Sequence, residues 1–69
     1  MNKRYIVELE DSVYIADWEG DPGRTTKRAN AKVFNIRQDA INAVTDARSY
    51  RRFEDATLIT LNPDRREKI

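Results

Sequence analysis

The side chains in this chain that could do chemistry are mostly cations. Arg24, Lys27, Arg28 and Lys32 follow one another at short intervals, Arg51 and Arg52 are adjacent, and the single tryptophan, Trp18, precedes the first of them by six residues. Lysine and arginine neutralise phosphates or acidic protein surfaces, and Trp and Arg are favoured anchors at interfaces. These residues are therefore candidates for partner binding. Catalysis has little to work with, because histidine and cysteine are both absent. That removes the commonest general base, the best nucleophile and the commonest transition-metal ligands together. Ser12 and Ser49 have no visible base to activate them. Asp17, Glu19 and Asp21 could in principle hold a hard cation, but the plainer reading is a solvated acidic loop. The stretch from Gly20 to Gly23 lacks the Gly-x-Gly-x-x-Gly and Gly-Lys-Ser/Thr patterns that cradle phosphate. The expectation is a protein without enzymatic activity, metal or other cofactor.

The formal net charge of +1 conceals a segregated distribution. Residues 1–21 carry six acids against Lys3 and Arg4, leaving −4, whereas residues 22–52 carry eight bases against Asp39 and Asp46, leaving +6. Arg48, Arg51 and Arg52 also have an ordinary structural explanation, since cations near a helix C-terminus complement its dipole.

These residues must be positioned by a small set of elements. Asn35 to Tyr50 predicts a helix, with Ile36, Ala40, Ala43, Val44, Ala47 and Tyr50 on one stripe. Asn35 is placed as its N-cap, with Gln38 completing a capping box. Lys3 to Trp18 reads as a hairpin turning at Asp11-Ser12. That register pairs Leu9 with Tyr14, Val7 with Ala16 and Tyr5 with Trp18 on the face the helix must cover. Core packing is thus favoured over a base-stacking platform for the aromatic residues, while Trp18, next to the loop, is the one that half exposure would leave available. Asp21-Pro22-Gly23-Arg24 predicts a type II turn. Ala31 to Phe34 predicts a third strand, Phe53 tucks under the helix end, and Ala56 to Leu61 predicts a fourth strand returning beside the first. The fold class is α+β, in the order β-β-β-α-β, with one helix on one face of a mainly antiparallel sheet. Residues 1–61 make one small domain, and 62–69 a disordered charged tail.

Sixty-nine residues, 39% of them apolar and 36% charged, place the chain where one core is only just sufficient. A partner or a second copy would help. The face opposite the helix carries Ile6, Val13 and Ile15, together with an apolar set from Leu58, Ile59 and Leu61, and this predicts a homodimer or docking face, the alternative being that Arg4, Glu8, Glu10 and Asp17 interrupt the patch enough for it to remain in water. Glu8, Glu10 and Asp11 interrupt what would otherwise resemble a signal peptide, and no apolar run approaches a membrane span. A cytoplasmic protein without a membrane partner is expected.

Several motifs together resemble small proteins encoded by bacteriophages and prophages. They are Lys-Arg-Tyr-Ile from Lys3, Tyr-Ile-Ala-x-Trp from Tyr14, Glu-Gly-Asp-Pro-Gly-Arg-Thr from Glu19, Asn-Ala-Lys-x-Phe from Asn30 and Ala-Arg-x-Tyr-Arg-x-Phe from Ala47. The resemblance covers most of residues 3 to 61. It implies a mobile-element context, in which short proteins act by occupying a surface of a host protein, including nucleases of host defence systems. It transfers no role to any single residue. The leading expectation is an anti-defence binding protein of this kind, its contact surface formed by Trp18, Arg24, Lys27, Arg28, Lys32, Arg51 and Arg52. The alternative is a small nucleic-acid binder using the same basic loop and strand surface.

Overall fold

The computed structural model describes residues 3–20 and 22–69. The architecture is built around one strand. β1 (Tyr5–Glu10) alternates side chains that face the helix, Tyr5, Val7 and Leu9, with ones that face away, Ile6 and Glu8. It pairs on one side with β2 (Val13–Ile15), which in turn pairs with β3 (Arg24–Thr25), and on the other side with β4 (Thr57–Thr60), which pairs with β5 (Arg65–Lys68). The result is a five-stranded sheet in the order β3-β2-β1-β4-β5, with every pairing antiparallel. One helix, α1 (Arg37–Ala47), lies on one face, so the α+β class stands, as does the return of the fourth strand beside the first.

Ala40, Val44 and Ala47 of α1 pack on Tyr5, Val7, Leu9, Ile15 and Leu58, and Phe34, Phe53 and Ala56 close the ends of this core. The small side chains of the helix let its backbone approach the sheet, so the strands supply the bulk. The helix is shorter than its apolar stripe. Ile36, not Asn35, is the N-cap, with no side-chain cap, and Arg48 is the C-cap. Ile36 and Tyr50 therefore fall outside the helix and are largely exposed.

Three further expectations are corrected. First, β1 carries a bulge: Glu10 pairs with Val13 but Glu8 pairs with Tyr14, so Leu9 is an extra residue on β1. A one-residue shift turns every following side chain of β2 to the other face. Ile15 consequently enters the helix-side core, and Tyr14 joins Ile6 and Ile59 on the far side. Ile6 is 3% exposed and Ile15 6% exposed, and Val13 is half-buried, so these three do not form an open docking face. The far side is covered instead by Ala31 and Leu61, and Arg66 of β5, opposite Ile59, donates from its guanidinium to Glu8 across 2.7 Å. By accepting that bond, and by its charge, Glu8 holds the Arg66 guanidinium above its ordinary pKa.

Second, the third strand is Arg24–Thr25, which pairs with Ile15 and Tyr14. Ala31 to Phe34 makes only the isolated bridges Ala16–Ala31 and Tyr5–Phe34, filling the gap where β2 diverges from β1. Its bonds there are short: Lys32 N–H donates to the Ile15 carbonyl across 2.8 Å and Phe34 N–H to the Tyr5 carbonyl across 2.7 Å.

Third, residues 62–69 are ordered. Asn62, at φ 58°, takes the left-handed conformation that Asn tolerates and turns the chain into β5. β5 is held by its ladder to β4, by ion pairs from Arg37 to Glu67 and from Lys68 to Asp55, and by Ile69, which packs against the main core.

Candidate functional site

Trp18 follows the end of β2 and is 52% exposed, outside both apolar clusters. Its place in the sheet beside Tyr5 is taken by Phe34. The ring is tied to the loop by one hydrogen bond, Nε1–H donating to the Arg24 carbonyl across 3.2 Å. The loop beneath it is drawn tight by the Ala16 N–H bond to the Gly23 carbonyl at 2.9 Å. A Cβ on Gly23 would lie 2.0 Å from the Trp18 carbonyl oxygen, so only glycine fits this close approach. The turn expected at Asp21–Arg24 includes Asp21, which lies outside the described residues. Arg24 Nη1 donates to the Pro22 carbonyl across 3.1 Å, folding the guanidinium back along the loop. Past β3, the Lys27 N–H donates to the Thr25 hydroxyl across 3.0 Å, which sets the turn that carries the Lys27 side chain outward.

The rest of the basic set is engaged elsewhere. Arg28 pairs with Asp64 at 2.6 Å, tying the loop to the β4–β5 turn. Lys32 lies 3.8 Å from Asp17 and over the Phe34 ring. Arg51 donates to both Glu10 oxygens at 3.2 and 3.3 Å and covers the Phe53 ring, while Arg52 lies 3.5 Å from Glu54. Glu10 sits at the hairpin-turn end of β1 and Trp18 beyond the far end of β2, so Arg51 and Arg52 are separated from Trp18 by the length of the hairpin. The seven expected residues thus divide. Trp18, Arg24 and Lys27 lie on one loop and turn, Arg28 and Lys32 flank it as ion-paired supports, and Arg51 and Arg52 lie at the opposite end. Each exposed ion pair contributes only about 0–1 kcal/mol, but it places a carboxylate where a phosphate would have to bind.

Two features were not legible as surface features in the sequence. Val33 and Ile36 are exposed apolar side chains, although Val33 lies in the segment read as a third strand and Ile36 on the apolar stripe of the helix. β5 was concealed by its uniformly charged composition. The Asn62-Pro63-Asp64 turn residues directly after an apolar strand are the signal that could have found it. Among the described residues, no group of three or more acidic side chains converges to hold a metal ion, and no helix is long and apolar enough to cross a membrane.

No protein-family model matches this chain, and no curated protein or solved structure matches it.

Proposed function

We propose that this chain is a non-enzymatic binding protein of the phage or mobile-element kind, which inhibits or redirects a host protein through the Trp18–Arg24 loop. The observation that carries the reading is the half-exposed indole of Trp18, hydrogen-bonded to the Arg24 carbonyl. A large aromatic ring held outside the core contributes little to folding. It offers a partner a wide contact area at low entropic cost, because a hydrogen bond already ties it to the loop. Missing catalytic chemistry and the segregated charge support the same reading. Arg28, Lys32, Arg51 and Arg52, each within ion-pair distance of a carboxylate, favour a protein target over nucleic acid.

The test is affinity capture from a bacterial lysate with the wild-type chain, Trp18→Ala, Arg24→Glu and, as an exposed aromatic control elsewhere, Tyr50→Ala. The expected outcome is a discrete host protein retained by wild type and Tyr50→Ala and lost from the two loop variants. Equal recovery by all four would exclude the loop.

A further inference from the structure

We propose that the outer edge of β5 is a self-association surface on which a second copy of this chain adds its own β5 antiparallel, extending the sheet across a twofold axis. This goes beyond the Trp18 reading and concerns a different part of the molecule. β5 is the last strand of the sheet, with β4 on one side only. The Ile69 N–H bonds the Ala56 carbonyl, so by antiparallel alternation Arg65 and Glu67 also direct their backbone groups to β4. Arg66 and Lys68 then direct N–H and C=O outward, where another strand can take them.

A twofold axis perpendicular to the sheet keeps each face on its own side, so only residues of the same face can stand opposite one another. Three registers place the outward backbone groups in bonding positions, and the one in which Lys68 faces Lys68 overlaps the two strands least and opposes like charges at its centre. If Arg66 faces Lys68 of the second copy, Glu67 faces Glu67 and Arg65 faces Ile69, so every opposed pair of charged side chains repels. If Arg66 faces Arg66, then Arg65 faces Glu67 and Asp64 faces Lys68, each twice by symmetry. Four opposite-charge pairs then surround one like-charge pair. The central pair is screened, because each Arg66 is bonded to Glu8 of its own chain, an acid whose side chain is only 14% exposed. Asp64, Glu67 and Lys68 also have own-chain partners in Arg28, Arg37 and Asp55, but these pairs are solvent-exposed and leave room for a second partner, while Arg65 is in none of the ion pairs among the described residues and supplies the unmatched charge at the axis. The charge sequence from Asp64 to Lys68 is therefore complementary to its own reverse, and this selects the register centred on Arg66. Two short strands make a small interface, at the weak end of specific association.

Light scattering and sedimentation over a concentration series of the full chain test the proposal. The mass is expected to rise from one copy to two between about 10 μM and 1 mM. The amide protons of Arg66 and Lys68 should gain exchange protection over the same range. Arg65→Glu, at an exposed residue, should abolish the dimer while leaving the far-ultraviolet circular dichroism unchanged, and the double variant Arg65→Glu with Glu67→Arg, made in an Arg37→Glu background that keeps the pair between α1 and β5, should restore it by exchanging the charges. A monomer at every concentration, a dimer insensitive to Arg65→Glu, or a double variant that stays monomeric would each overturn the proposal.

Discussion

Trp18 and Ile36 are both exposed aromatic or apolar residues, but the fold accounts for them differently. Trp18 makes one hydrogen bond and belongs to neither apolar cluster, so Trp18→Ala should lower stability by no more than about 1 kcal/mol, as surface substitutions do. It should weaken partner binding by a hot-spot amount of about 2 kcal/mol or more. Urea unfolding and titration with the captured partner separate the two effects. Because the chain has one tryptophan, its fluorescence reports on this site alone. Gly23→Ala behaves oppositely. The added methyl collides with the Trp18 carbonyl, and the expected loss is about 1–3 kcal/mol of stability, as for overpacked sites. Ile36 occupies a position that favours Ser, Asp or Asn, and it is 59% exposed, so little burial is lost on replacing it. Ile36→Asp should raise stability by about 1 kcal/mol through a side-chain bond to the first-turn N–H groups, read as a higher urea midpoint at unchanged slope.

At the scale of elements, what was legible in the sequence depended on apolar pattern. Alternation of Tyr5, Val7 and Leu9 and the helical spacing of Ala40, Val44 and Ala47 are written in side-chain type, so the first strand, the helix and the α+β class could be read. The bulge could not, because nothing around Asp11-Ser12 marks Leu9 as supernumerary. The error it caused reached every face assignment in β2. Nor could β5, whose four charged residues owe their order to a backbone ladder and to partners as distant in sequence as Glu8 and Arg37. Of the candidate site, residue types were legible, but the ion pairs that withdraw Arg28, Lys32, Arg51 and Arg52 from it were not. The ordered β5 makes a direct prediction. Truncation after Leu61 should cost about 2 kcal/mol or more, from lost ladder bonds and the partial burial of Ile69. A dispensable tail would leave the unfolding midpoint where it was.

At the scale of the whole molecule, the seven ion pairs among the described residues decide how the segregated charge behaves. Lys32–Asp17 and Arg51–Glu10 join the basic middle segment to the acidic first one, and Arg28–Asp64, Arg37–Glu67 and Arg66–Glu8 tie the C-terminal segment to both, so the segregation along the chain is partly offset in space. Four of the six basic residues of the candidate surface, Arg28, Lys32, Arg51 and Arg52, have a carboxylate beside them, so a 20-base-pair duplex at about 50 mM salt should give no retarded band, since phosphate binding requires a cluster of unmatched cations whose counterions are released. A salt-sensitive shift would revive the nucleic-acid reading. The central position of β1 has a further consequence, for the order of events in folding. Tyr5 meets Thr60 and Ile6 meets Ile59, so the earliest strand of the chain finds its main partner more than fifty residues later. A growing chain can close the β1–β2 hairpin, but Val7 and Leu9 have no β4 beside them until the chain has extended past Thr60. The native state should form late and in one cooperative step, with a refolding rate set by that distant closure and slower than that of helical proteins of this size.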